Sequence, residues 1–246
     1  MGTEPVVKPY PGKDGGKKEQ VASMFDNISG NYDLLNRVLS LGIDTIWRRQ
    51  AIDMLRGDKP QRILDVATGT ADLAIEALRL QPKEVVGVDI SAGMLAHGQE
   101  KLNRRKLQDR IKLVLGDSEG LPFSDRSFDA VTVAFGVRNF ENLHHGLSDI
   151  QRVLRPGGKL VVLEFSKPRV FPVKQLFAFY SRFILPAIGR LVSKDQSAYT
   201  YLPESVQAFP EGSDFLARLA AAGFANNQEK RLTFGICSIY VGQKQA

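Results

Sequence analysis

The strongest constraint on this chain is a series of short Val/Ile/Leu-rich segments that alternate with helical patterns between residues 62 and 165. The segments are 62–67 (RILDVA), 84–90 (EVVGVDI), 111–116 (IKLVLG), 128–135 (FDAVTVAF) and 159–165 (KLVVLEF). Runs that are apolar at nearly every position suit strands buried on both faces, the condition of a parallel strand covered by helices on either side. Between them, residues 71–80, a stretch from near Ser91 to Leu107, and residues 143–154 carry apolar side chains at helical spacing. Turn chemistry at 57–60 (Gly-Asp-Lys-Pro) and 155–158 (Arg-Pro-Gly-Gly) separates the elements. The alternation predicts an α/β fold with a doubly wound, mostly parallel, Rossmann-like sheet. Two later strand-like runs, 228–234 and 238–243, bring the sheet to seven strands, and a helix is expected over 212–222.

Upstream, residues 21–56 read as short N-terminal helices broken at Gly30 and Gly42. Residues 1–20 carry Lys8, Lys13, Lys17 and Lys18 with little apolar surface, and are expected to be a disordered basic tail. Residues 21–246 then form a single domain. Within it, residues about 167–210 interrupt the alternation and read as a helical lid insertion, with 193–210 a polar stretch.

Composition narrows the function classes. No apolar run approaches the roughly 18 residues of a membrane span, and the first twenty residues lack the apolar core of a secretory signal. Cys237 is the single cysteine and there are three histidines, so neither a disulfide nor a Cys- or His-rich metal centre is expected. A cytoplasmic location is the natural expectation. The formal net charge is +6. Residues 167–194 hold Lys167, Arg169, Lys174, Arg182, Arg190 and Lys194 and no acid, so this block accounts for the whole excess. The charge is therefore local, and no nucleic-acid partner is expected despite a basic pI. The same block is rich in aromatics (Phe171, Phe177, Phe179, Tyr180, Phe183), and Pro186 should divide it into two helices. Such a stretch suits covering a hydrophobic ligand and touching anionic lipid.

In an open parallel sheet, ligands bind beyond the carboxyl ends of the strands. The first strand runs into Asp65-Val66-Ala67-Thr68-Gly69-Thr70-Ala71-Asp72, which lacks the glycines of a G-x-G-x-x-G pyrophosphate loop and argues against NAD or FAD. What remains is a tight turn with Asp65, Gly69 and Thr70, able to present backbone to the ends of an amino acid. Asp89 ends the second strand twenty residues after Gly69, where a carboxylate accepts from ribose hydroxyls. Ile90 and Met94 offer an apolar wall for a purine. Asp117 and Ser118, after the third strand, offer an acceptor for an exocyclic amine and a small hydroxyl. Ala134, ending the fourth strand, offers only backbone. Either aspartate alone is more often a helix N-cap than a ligand. At three consecutive strand ends in this order, they favour S-adenosylmethionine.

These segments, together with 116–123 (GDSEGLPF) and Ser127-Phe128-Asp129, resemble the successive motifs of class I methyltransferases. Tyr32-Asp33-Leu34-Leu35-Asn36, continuing through Ser40 to Trp47, resembles the amino-terminal signature of the ubiquinone/menaquinone biosynthesis C-methyltransferases. Residues 152–158 (RVLRPGG), running on to Glu164-Phe165-Ser166, resemble that family's second signature, and the likeness covers about 21–242. Two departures stand out: Leu35 where methionine is usual, and Asp44 where many members have histidine. The resemblance implies C-methylation of a polyprenyl quinol. Demethylmenaquinol is favoured because residues 164–210 look closer to menaquinone-type members; a ubiquinone precursor is the alternative.

A quinol ring carbon becomes nucleophilic when a neighbouring hydroxyl is ionised, so the site must stabilise a phenolate. Residues 135–140 (FGVRNF) resemble the family's G-x-R-N segment. They imply Arg138 as the phenolate partner, with Asn139 and Tyr32 beside it. An ion-pair role is the equal alternative for Arg138, which cannot serve as a base. Tyr199, Tyr201 and Pro203 lie just beyond the basic block 167–194, where they could continue a substrate wall, and no role is assigned to them. The reading is compatible with a homodimer and with peripheral membrane contact through 167–194.

Overall fold

The computed structural model describes residues 7–184 and 197–245. Three helices precede the sheet: α1 (Lys17–Ile28), α2 (Tyr32–Leu39) and α3 (Ile43–Asp53). The chain then alternates β1 (Arg62–Val66), α4 (Asp72–Ala77), β2 (Glu84–Asp89), α5 (Ala92–Arg105), β3 (Ile111–Leu115), β4 (Phe128–Ala134), α6 (Leu143–Val153) and β5 (Leu154–Phe165). After α7 (Val173–Phe179) it continues with α8 (Ser197–Ala208), α9 (Ser213–Ala221), β6 (Phe224–Leu232) and β7 (Cys237–Lys244).

The seven strands lie in the order β3-β2-β1-β4-β5-β7-β6. The first five are parallel; β7 runs antiparallel to β5, and β6 antiparallel to β7. Burial follows position in the sheet. Beyond its first residue β2 is buried throughout, whereas β6, an edge strand, is buried only at Phe224 and Leu232 and alternates half-buried and exposed residues between them. Two apolar layers clothe the sheet, one around Phe128, Phe215 and Tyr240, the other around Trp47, Ile52, Leu55 and Ile63. Strand order reverses between β1 and β4, so their carboxyl ends flank the crevice where ligands bind in such sheets.

Several boundaries differ from the sequence expectation. The basic tail expected through residue 20 gives way to α1 at Lys17, and the loop before it is tied down by Tyr10 N–H donating to Gln20 Oε1. Lys17 is itself buried, its ammonium donating to the carbonyls of Arg138 and Phe140. Low local hydrophobicity misjudged this segment because its partners lie more than a hundred residues away. The turn at 155–158 is absorbed into β5, with a register irregularity against β4 between Phe128 and Ala130. The polar stretch 193–210 contains α8, whose Ala198, Tyr199, Tyr201 and Val206 are buried; Pro203 lies within it. Pro186, Arg190, Lys194 and the helix break expected at Pro186 lie outside the described residues. Of the described basic residues in the lid block, Arg169 pairs with Glu211, Lys167 donates its backbone N–H to Glu211 and its ammonium to the Gln207 carbonyl, and Lys174 and Arg182 are exposed.

Candidate active site

The turn after β1 builds the floor of the site. Ala67, Gly69 and Ala71 all adopt left-handed φ (53°, 54° and 69°), folding the chain sharply between β1 and α4. Asp65 sits underneath, buried, and accepts from the hydroxyls of Thr68 (2.6 Å) and Thr132 (2.7 Å), tying this turn to β4. Burial pushes its pKa up to about 6. Asp89 accepts from the Gly69 N–H at 2.7 Å and the Ser91 N–H at 2.9 Å. It therefore does not cap α5; Ser91 does, accepting from the Met94 N–H. Burial raises the pKa of Asp89 and the two amides oppose the rise. Each carboxylate oxygen keeps a free lone-pair direction, which two ribose hydroxyls require.

A strand-end cavity is lined by Gly69, Asp89, Ile90, Met94, Asp117, Ser118, Ala134 and Asn139, with Tyr32 and Phe25 as part of its roof. A small recess continuous with it is lined by Asp65, Gly69, Thr70, Ala134 and Tyr32. Every sequence-predicted cofactor residue thus borders one of these two spaces. A Cβ at Gly69 would approach only Tyr32 Cε1, at 3.9 Å, so the space above this turn is open. At Gly136 the opposite holds: a Cβ would stand 2.5 Å from that of Ala67, so glycine lets the segment after β4 lie against the β1 turn. An acceptor at mid-cavity, an apolar wall beyond it, a polar far end and a polar recess match the order ribose, purine, amine and amino acid. The donor set fits S-adenosylmethionine.

Two side chains have further partners that local sequence gave no hint of. Asp117 is paired with Lys18 at 2.5 Å and also accepts from the Glu119 N–H, so α1 is latched over the purine end. The Thr70 hydroxyl donates to Asp33 Oδ1 (2.5 Å) and accepts from Lys101 Nζ (3.0 Å). Lys101 also meets Asp33 at 2.6 Å and Asp72 at 2.7 Å. Burial alone would raise the Asp33 pKa, but hydrogen bonds from Lys101 and Thr70 outweigh it and leave the carboxyl below its ordinary value. This network fastens α2 to the β1 turn.

A larger cavity of about 420 Å³ lies between the N-terminal helices and α7–α8. Its wall is mainly apolar, including Met24, Ile28, Trp47, Phe165, Leu176 and Phe177, with polar groups from Tyr32, Ser40, Asp44, Arg48 and Arg138. Phe25, Tyr32 and Phe135 line both this space and the strand-end cavity. The two therefore meet at a shared three-residue wall. Phe135, the residue after β4, adopts φ +55° and donates its N–H to the Leu163 carbonyl.

Arg138 forms a buried ion pair and also stands on a cavity wall. Its Nη1 donates to Glu164 Oε1 at 2.8 Å in an ion pair whose side chains are 7% and 0% exposed, and it also borders the larger cavity. Burial raises the Glu164 pKa and Arg138 opposes the rise. Asn139 faces the strand-end cavity and accepts from the Tyr201 hydroxyl at 3.0 Å. The Tyr201 pKa is pushed up to about 12 by burial. Burial likewise raises the Tyr32 pKa, with a hydrogen bond to Asn36 and the charges of Arg138 and Arg48 acting the other way. The sequence reading missed Lys17, Lys18, Arg48 and Glu164. Their spacing is ordinary for solvated charges; burial distinguishes Lys17, Arg48 and Glu164, and the ion pair with Asp117 distinguishes Lys18.

The chain is similar to several known proteins. The family model described as the ubiE/COQ5 methyltransferase family matches residues 13–244. A demethylmenaquinone methyltransferase of Bacteroides fragilis is 51% identical over 97% of both chains. A ubiquinone/menaquinone biosynthesis C-methyltransferase of Geobacter sulfurreducens is 46% identical over 93% of this chain and 90% of its own. Among solved structures, a Thermotoga maritima protein described as a possible histamine N-methyltransferase superposes with a TM-score of 0.64. It covers 91% of this chain and 99% of that one at 16% identity, a likeness of fold alone.

Proposed function

We propose, from the premise that this chain belongs to the ubiE/COQ5 methyltransferase family, that it methylates a ring carbon of demethylmenaquinol, using S-adenosylmethionine. The observation that carries the reading is the pair of cavities meeting at Phe25, Tyr32 and Phe135: one has the polar order of the cofactor, the other the size and apolarity of a prenylated ring. The bound cofactor supplies an electrophilic sulfonium methyl group. Asp89 holds the ribose, the β1 turn with Asp65 and Thr70 shapes the amino-acid end, and Ile90, Met94, Asp117 and Ser118 enclose the purine. Methyl transfer needs an aligned nucleophile above all, and the packed aromatic wall sets that alignment. Arg138 lowers the cost of phenolate character on the ring, while Glu164 fixes its guanidinium. Asn139 and Tyr32 border the crossing point. The choice of demethylmenaquinol over a ubiquinone precursor follows the naming of the Bacteroides fragilis relative.

Among the described residues no helix is long and apolar enough to cross a membrane. The prenyl tail must nevertheless leave a bilayer, and α7 offers a route. Phe171, Leu176, Phe179 and Phe183 are 77%, 63%, 56% and 55% exposed, while Val173, Leu176 and Phe177 line the larger cavity. With Lys174 and Arg182 exposed alongside, this face suits an anionic bilayer surface. Self-association is the competing use of the same face.

The test is incubation with labelled S-adenosylmethionine and a panel of reduced quinols, followed by mass analysis. A methylated demethylmenaquinol is expected. Tight cofactor binding with no methylation of demethylmenaquinol or of the ubiquinone precursor would overturn the reading.

A further inference from the structure

The reaction releases one proton per methyl group, and Arg138 cannot accept it. A base bordering the ring must be an acceptor that faces the larger cavity. Among the described residues lining that cavity, Asp44 is the sole carboxylate, and no histidine lines it. It lies on α3 and is only 6% exposed. Ser40 donates to its Oδ1 at 2.7 Å, and Arg48 Nη1 to its Oδ2 at 2.5 Å. A carboxylate oxygen accepts more than one hydrogen bond, so each retains capacity towards the cavity. A ligand hydroxyl placed against this acceptor-only carboxylate can donate to it, whereas a carbonyl oxygen at the same place would set lone pairs against it.

We propose that Asp44 accepts the hydroxyl hydrogen bond, and then the proton, of the quinol whose ring carbon is methylated. This rests on the quinol reading above. As the O–H bond breaks towards Asp44, its electron pair is released into the ring. The adjacent ring carbon attacks the methyl group, a C–C bond forms, and the carbon–sulfur bond breaks to leave a neutral thioether. Loss of the hydrogen from the methylated carbon and return of a proton to the ring oxygen restore the quinol. The net products are methylated quinol, thioether and one proton. Ser40, half-buried and hydrogen-bonded to Asp44, links the carboxylate towards the outer rim at Leu41, which is 85% exposed.

The same group discriminates redox state. A quinol donates to Asp44, whereas the corresponding quinone would set carbonyl lone pairs against a carboxylate. The charges around Asp44 are Arg48 on its own helix, Asp72 on α4 at 3.6 Å from Arg48, Asp33 on α2, Lys101 on α5, and Arg138 across the cavity; Tyr32 on α2 adds a neutral phenol. None but Asp44 combines a carboxylate with a place in the cavity wall.

Trp47, the single tryptophan, lines the same cavity and gives a readout independent of turnover. Quenching of its fluorescence by 1,4-naphthalenediol and by 1,4-naphthoquinone is to be measured for the full-length wild type, Asp44→Asn and Asp44→His. Wild type should bind the diol at least about tenfold more tightly than the quinone, and Asp44→Asn should bring the ratio to within about threefold. In turnover, Asp44→Asn should lose about 10²–10³ in kcat, the span of general-base catalysis, with S-adenosylmethionine affinity within threefold. Asp44→His should recover at least tenfold of that loss. Its acid limb in the kcat–pH profile should move up towards the imidazole range near ~6.5, a change that a purely structural role would not produce. If Asp44→Asn fails to fold, the Asp44→His profile and binding ratio decide. An unshifted acid limb, an unchanged diol-to-quinone ratio, or Asp44→Asn turnover within threefold of wild type overturns the assignment while the quinol reading stands. A wild type that methylates no quinol overturns that reading first.

Discussion

Replacing Glu164 with glutamine tests how the cation at the reacting centre is held. The carboxylate is fully buried and accepts from Arg138 Nη1 at 2.8 Å and from the Phe165 N–H at 2.9 Å; the Arg138 N–H lies 3.4 Å away. Glu164→Gln preserves shape and one acceptor oxygen but leaves the guanidinium without its counter-ion. Arg138 keeps hydrogen bonds to the Phe135 carbonyl and the Ser205 hydroxyl, neither of which carries charge. Removing one partner of a buried ion pair costs about 3–5 kcal/mol, and the retained hydrogen bonds place this change near the lower end. With a urea m-value of about 3 kcal/mol/M for a chain of this size, the unfolding midpoint should fall by about 1 M. The double variant Glu164→Gln/Arg138→Met should recover most of that loss, because no buried charge then remains unpaired. A midpoint shift under about 0.3 M for the single variant would falsify the claim that the pair is a closed, desolvated unit. Turnover should fall in both variants while S-adenosylmethionine affinity is retained, since Arg138 borders the other cavity.

Asp89→Asn should raise the S-adenosylmethionine Kd by about 100-fold in calorimetry, because the new NH₂ opposes a backbone N–H and one acceptor oxygen is lost; charged hydrogen bonds are worth about 1.5–3 kcal/mol each. An affinity within threefold of wild type would remove Asp89 from the cofactor site. Lys17, whose pKa is lowered to about 8 by burial and then by repulsion from Arg138, destabilises the fold below that pH. Because its folded pKa lies below the unfolded value of 10.5, stability is regained as pH rises from about 8 to 10.5, by about 3 kcal/mol. The stability advantage of Lys17→Met should shrink across that window in urea titrations, and a constant difference would contradict the shift. Exchanging Phe171, Phe179 and Phe183 for serine should weaken flotation with anionic vesicles at least fivefold and spare cofactor binding. Undiminished flotation would move the bilayer contact elsewhere, and loss of a dimer in sedimentation without lipid would assign the face to self-association.

By itself the sequence determined the sheet and the cofactor end of the site. Apolar runs in 62–67, 84–90 and 128–135 dictate strands covered on both sides, and the first turn, Asp89 and Asp117 follow each strand directly. Such information is local, because a strand end and the turn that follows it are contiguous in the chain. Tertiary structure decided what closes over that frame. Lys17 and Lys18 resemble a solvated tail until α1 docks, and residues 193–210 read as a polar stretch although α8 buries Ala198, Tyr199, Tyr201 and Val206. Arg138 read equally as ion pair and as ligand; folding gave it Glu164 and a cavity wall at once. Asp44 stood out in the sequence only as a departure from the family pattern; α3 places it in the cavity wall. Burial converts ordinary charges into costly, strongly interacting ones, and burial is a property of partners that lie up to some 120 residues apart in the chain.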